Sequence, residues 1–127
     1  MALPQRHRLK GKRVFDRLYQ KGRRHQGQAL LLRCLEASAQ LLPPEQQAYP
    51  LTSWRCGVVV SGKVHKRAVR RNRLRRLLQN HLLRVLPAGA AAGQWLLISL
   101  KPGSADCSPE ALLGECDQLL HQAGLTP

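Results

Sequence analysis

The sequence predicts one α/β (α+β) domain built as a two-layer sandwich, with helices packed on a single small sheet. Three observations carry this. Residues 55–61 and Gln94–Leu100 are short apolar runs bounded by turn residues, as buried strands are. Between them, residues from about 67 to 86 repeat leucine at helical spacing. The chain has 127 residues, 43% of them apolar, which supplies one core and not comfortably two. Residues 1–127 are therefore expected to form a single domain.

The elements follow in order. Val14, Phe15, Leu18 and Tyr19 fall on one helical face, predicting a short helix from about Lys12 to Lys21, stopped by Gly22. Residues 28–35 form an apolar run read as a strand after a turn at Gly27; their Leu and Ala content also suits a helix. Residues 37–53, with Pro43-Pro44, a glutamine-rich stretch and Pro50, read as a long flexible loop within the domain. Val58, Val59 and Val60 make residues 55–61 the clearest strand, and a short basic connection leads into the long helix, ended by Pro87 and Gly89. Residues 88–93 are a small-residue linker before the strand Gln94–Leu100. Ser108 caps a last helix with Pro109 at its first position, its apolar face being Leu112, Leu113, Cys116, Leu119 and Leu120.

Charge narrows the function. Lys plus Arg number 21 against 7 acids, a net charge of +14. A compact body this basic repels itself unless a polyanion neutralises it. Nucleic acid is the favoured partner and an acidic membrane surface the weaker one. Arginine outnumbers lysine 15 to 6, which suits bidentate phosphate contacts; GC-rich coding would bias the chain the same way. The charge is uneven. Residues 1–25 carry +8, residues 26–54 carry −1, residues 55–86 carry +10 with no acid, and residues 87–127 carry −3. Four cysteines show no zinc or redox spacing, and Cys34 and Cys56 read as core residues. No apolar signal region or membrane-length stretch is present, so the cytoplasm is expected, with no membrane and no obligatory protein partner.

The long helix contains a conflict. Its stripe of Leu74, Leu77, Leu78, Leu82 and Val85, with His81, extends backwards onto Arg71, Arg70 and Arg67. Guanidinium groups cannot enter an apolar core without a large desolvation cost. The first two turns are therefore expected to overhang the core, presenting Arg67, Arg70, Arg71 and Arg73 together with the free N–H groups of a helix start. The other reading places these arginines in an exposed loop; both put them outside the core.

The run from Arg55 through Gly57, Val58-Val59-Val60-Ser61-Gly62-Lys63 and on to Ala68-Val69-Arg70-Arg71-Asn72-Arg73-Leu74-Arg75-Arg76 resembles the signature of the bacterial ribonuclease P protein subunit. His7-Arg8-Leu9-Lys10, Phe15, Tyr19, Gly22 and Lys101-Pro102 are similar to further features of that family, in the right order. The resemblance departs at Gly62, which replaces the first lysine of a Ser-Lys-Lys turn, and at the long 37–53 loop. It implies an αβββαβα order with a small mixed sheet, three helices and a left-handed βαβ crossover, against the usual hand. It implies that the protein helps remove the 5′ leader of precursor tRNA, with catalytic RNA and its bound Mg2+ performing the hydrolysis.

On that reading no side chain is catalytic and none binds metal, and the acids are too scattered to hold two metal ions. Lys63, Lys66, Arg67, Arg70, Arg71, Arg73, Arg75 and Arg76 would grip the ribonuclease P RNA. Asn72 would cap or orient the helix start, or bond the RNA. Phe15 and Tyr19 would line the leader cleft, offering stacking faces that tolerate any base, with Lys101 at its end; simple packing of the first helix is the alternative for both aromatics. The five histidines read as surface or core-edge residues, and Trp54 and Trp95 as packing. A ribosomal or other structural RNA-binding protein is the nearest rival; a major-groove DNA reader is the other, disfavoured because a strand precedes the basic helix.

Overall fold

A computed structural model describes residues 3–41, 53–86 and 93–126. It contains helix α1 (Lys12–Lys21), strands β1 (Arg23–Gln26), β2 (Leu30–Glu36) and β3 (Arg55–Val59), helix α2 (Ala68–Val85), strand β4 (Gln94–Leu100) and helix α3 (Pro109–Gln122). The sheet order is β1-β2-β4-β3. β2 pairs antiparallel with both β1 and β4, while β3 lies parallel to β4. A parallel neighbour requires a crossover, and α2 is that crossover. The small mixed sheet, three helices and αβββαβα order agree with expectation.

The helices occupy both faces of the sheet. Leu30, Leu32, Cys34, Cys56, Val58, Leu96 and Ile98 face α2 and α3, where Leu78, Leu82, Leu112, Cys116, Leu119 and Leu120 complete the main core. On the other face Trp95 and Leu97 meet Val14 and Leu18 of α1 in a second, smaller cluster. The two-layer expectation thus becomes α1, sheet, then α2 with α3. The physical reason lies in β4: Trp95, Leu96, Leu97 and Ile98 are all buried, and a strand apolar on both faces needs cover on both.

β1, Arg23–Gln26, has no apolar signature, and its residues are exposed or half-buried, so pattern alone passes over it. It is pinned by pairing with β2 and by the loop between them. There the Glu115 carboxylate of α3 accepts from Gln28 N (2.9 Å), from Ala29 N (2.9 Å) and from Leu30 N (2.7 Å). A Cβ on Gly27 would stand 2.5 Å from this carboxylate, which is why glycine sits there. Lys101 donates from Nζ to Gly27 O at 2.7 Å and ties the same loop to the end of β4.

α3 starts as expected, with Ser108 Oγ accepting from Ala111 N at 3.1 Å. Trp54 and Trp95 are fully buried. His7 and His81 lie deeper than the core edge. His7 stacks on Trp54 at 4.0 Å, and His81 Nε2 meets Asp117 Oδ1 at 2.6 Å across α2 and α3. All four cysteines are free thiols, Cys107 half-buried and the rest buried. Residues 42–52 of the expected loop, the expected helix stop at Pro87 and Gly89, and residues 88–92 of the expected linker lie outside the described residues.

Candidate RNA interface

α2 begins at Ala68, just beyond the C-terminal ends of the parallel strands, and runs back beneath the sheet until Leu86 O accepts from Trp54 Nε1. Its second half is anchored by buried Leu78, His81 and Leu82. Its first half overhangs. Arg67, Arg70, Arg73 and Arg76 are exposed, with Arg71 and Arg75 half-buried. Val69 is 70% exposed, so the overhang carries even an apolar side chain into solvent. No acid occupies the first turn, and the N-terminal residue Arg67 makes no side-chain cap. Basic residues there oppose the helix dipole, a local cost that a bound anion relieves.

Among the described residues, none of these six arginines pairs with a carboxylate of the chain; the ion pair near α2 is His81 with Asp117, at its far end. Two of the six are partly used in shaping the surface. Arg71 Nη1 donates to His65 O and to Lys66 O, each at 2.9 Å, bracing the connection from β3. Arg75 Nε donates to Val58 O (3.4 Å), and its Nη1 donates to Asn72 Oδ1 (2.6 Å). The capping reading of Asn72 therefore fails. The helix starts four residues before it, and its side chain orients Arg75 instead. His65 Nδ1 takes the place of a cap, accepting from Arg67 N at 3.0 Å. Lys63 and Lys66 are exposed on the turn. A Cβ at Gly62 would meet nothing within 4 Å, so the missing lysine is not a steric exclusion.

On the opposite face, α1 presents Phe15 and Tyr19 on one flank. Phe15 is half-buried with its ring over Gly57, where a Cβ would stand 3.1 Å from the ring carbons. It is chiefly a packing residue. Tyr19 is 49% exposed. Arg33, which the sequence reading passed over as part of an apolar run, lies 4.7 Å above the Tyr19 ring. Its Nη1 donates to Ser99 Oγ at 3.5 Å, and its buried Nε has no partner among the described residues. The signal was alternation: Leu30, Leu32 and Cys34 face one side, which puts Arg33 on the α1 side with a cation to spend. Lys101 sits at the end of β4, but its ammonium is engaged by Gly27 O. Phe15, Tyr19 and Lys101 are thus not one cluster; on the α1 face the accessible polar group is the Tyr19–Arg33 pair.

The remaining chemistry is spare. Among the described residues no three His, Cys, Asp or Glu side chains stand together as metal ligands, and no helix is long and apolar enough to cross a membrane. Burial pushes the Cys34 thiol up to about 11 and the Cys116 thiol to about 12, and holds Cys56 well above its ordinary range. None of these is a nucleophile near neutral pH.

A small α+β scaffold with an arginine-rich helix start free of its own carboxylates, and an aromatic–arginine stack on the other face, defines an RNA-binding protein of the kind that serves a ribonucleoprotein. The family model described as Ribonuclease P matches residues 3–124. The ribonuclease P protein components of Parasynechococcus marenigrum (strain WH8102) and Synechococcus sp. (strain CC9902) are 52% and 50% identical over 126 residues, covering 98% of each chain. Among solved structures, the Staphylococcus aureus RNase P protein superposes with a TM-score of 0.75 at 16% identity, covering 95% of this chain and 98% of that one. The Thermotoga maritima RNase P protein gives 0.69 at 19%, covering 91% and 96%. The chain belongs to the ribonuclease P protein family. Its function is that family's, as the protein component of a ribonucleoprotein endoribonuclease that processes tRNA 5′ ends, with catalysis carried by the RNA. The family decides against the ribosomal alternative.

Proposed function

We propose that the overhanging half of α2 holds the catalytic RNA and that the Tyr19 face of the sheet holds the precursor's 5′ leader. The observation that carries the first part is the set of arginines at positions 67, 70, 71, 73, 75 and 76, outside the core and without carboxylate partners among the described residues. Lys63 and Lys66 extend that surface. Asn72 and Arg71 act partly by positioning, since they fix Arg75 and the turn. Tyr19 supports the second part. A half-exposed ring with a guanidinium on one side offers stacking that is indifferent to base identity, worth about 1–3 kcal/mol per base. Arg33 adds N–H capacity for a leader phosphate. Phe15 supports the floor, and Lys101 holds the loop at its end.

Magnesium belongs to the RNA in this reading, since the chain's acids do not converge on a site among the described residues. The cytoplasm, where tRNA precursors are made in bacteria, is the expected location. The test is reconstitution. The chain is mixed with a bacterial ribonuclease P RNA and a precursor tRNA at low magnesium. Stimulated cleavage that Tyr19→Ala weakens for precursor more than for mature tRNA supports the division of labour. Equal weakening for both removes the leader assignment.

A further inference from the structure

Arg70, Arg73, Leu74 and Leu77 recur at i, i+3, i+4 and i+7, so they share one face of α2. Along that face the helix changes from guanidinium to aliphatic within two turns. Leucines on a helix of a globular domain are ordinarily covered, and Leu78 and Leu82 are fully buried. Leu74 and Leu77 are only half-buried. Opposite them runs the connection from β4 to α3, where a single helical turn at Ser104–Asp106 leads to Ser108 and Pro109. The two sides do not close. Between them lies a groove of about 280 Å³, with Ala105, Cys107 and Pro109 lining the side away from α2.

Arg70 and Arg73 line the same groove and are exposed. Neither pairs with an acid among the described residues, although Asp106 stands on the neighbouring turn and is exposed. Apart from these two arginines and the Cys107 thiol, the lining carries no hydrogen-bonding side chain. The thiol itself is turned to Gly103 O, 3.9 Å away. The groove therefore joins an apolar slot to two free cations on the side nearer the start of α2. Its volume falls just below the roughly 300–1,000 Å³ of sites that enclose a drug-sized ligand, which limits the occupant to a small group.

The lining selects a group with an apolar face and an anion attached. A nucleotide has both, in its base and its phosphate. A base within a duplex has its faces covered by its neighbours, so only an unpaired, unstacked one can enter. The slot is also continuous with the arginine surface of α2, since Arg70 and Arg73 belong to both. We propose that it receives one unpaired nucleotide of the catalytic RNA, with the base against Leu74, Leu77, Ala105 and Pro109 and the phosphate on Arg70 and Arg73. The proposal rests on the reading that α2 holds that RNA. Fit and apolar contact, rather than a hydrogen-bonded edge, select the base.

The test maps 2′-hydroxyl acylation of a bacterial ribonuclease P RNA, free and in complex with the protein. This chemistry reports every unpaired nucleotide whatever its base. With wild-type protein, an unpaired nucleotide that is reactive in the free RNA should become unreactive. If none does, the proposal is overturned without recourse to any variant. Ala105→Phe and Cys107→Phe then fill the slot from two half-buried positions and leave both arginines in place. A variant that melts like wild type should restore reactivity at that nucleotide while other protections persist. Its affinity for the RNA should fall about 10-fold, with the slope of log affinity against log salt unchanged because no cation is removed. Unchanged reactivity, or unchanged affinity, in a folded variant would overturn the proposal. Arg70→Ala/Arg73→Ala reports separately. If it binds the RNA with wild-type affinity and salt slope, the placement of the RNA on α2 fails and the proposal falls with it. A lowered slope beside occluding variants that change nothing removes the nucleotide slot alone.

Discussion

Replacing Arg70 and Arg73 together by Ala separates binding from folding, because neither side chain has a partner among the described residues. Both are exposed, so the fold should lose no more than about 0.5 kcal/mol. If each holds one phosphate, the slope of log affinity for ribonuclease P RNA against log salt should fall by about 2. Across a fourfold rise in salt, that difference amounts to about 15-fold. Arg71→Ala is the contrasting perturbation. It removes two hydrogen bonds from a charged donor to His65 O and Lys66 O. Discounted for partial exposure, these are worth about 2 kcal/mol together, or about 8 °C in Tm for a domain of this size. The assay is filter binding to the RNA over a salt series, alongside thermal melting of the free protein. The reasoning is refuted if Arg70→Ala/Arg73→Ala melts several degrees early, or if its salt slope equals that of wild type.

Three further outcomes follow from the same structure. Gly62→Lys introduces a side chain into open space at a residue without positive φ, so it should fold normally and gain about 0.4–1 kcal/mol through the unfolded chain; RNA titration should show a salt slope steeper by up to about 1. Glu115→Gln keeps the shape but replaces one carboxylate oxygen with a donor facing the backbone N–H groups of residues 28–30; a loss of about 2–3 kcal/mol and of amide-exchange protection at Ala29 and Leu30 is expected, and unchanged protection would show that the clasp is idle. The buried thiols make stability fall at alkaline pH. Their folded values lie above 9, so the unfolded chain loses these protons first, and stability declines from about pH 9 towards 11 or 12, at about 1.4 kcal/mol per unit per thiol. Urea midpoints of Cys116→Ala should fall less steeply over that range, and identical slopes would count against the thiol as the cause.

Much of the fold was legible because hydrophobic period and turn chemistry agreed. The ends of α1, Lys12 and Lys21, and the strand Gln94–Leu100 fall where the pattern puts them. Ser108 and Pro109 mark the start of α3 through a local hydrogen bond that sequence alone specifies. β1 was invisible to pattern because its order comes from partners distant in sequence: β2, and through the adjoining loop Glu115 and Lys101. The side of the sheet taken by α1 was equally hidden, since a run apolar on every residue does not say which element covers which face. At the site, charge density gave the α2 overhang correctly. Of the alternatives open for Asn72, capping is excluded because α2 starts at Ala68, four residues before it. Arg33 escaped notice because one cation inside a leucine run reads as an interruption until its neighbours are assigned to the opposite face.

The central claim is that the RNA lies against the first half of α2. In a Cys107→Ser background, a hydroxyl-radical source is tethered through Arg73→Cys in one protein and through Gln118→Cys on the exposed side of α3 in another. After assembly with ribonuclease P RNA, position 73 should cut the RNA at a few discrete sites while position 118 leaves it intact. Cutting from position 118 with none from position 73 would contradict the account.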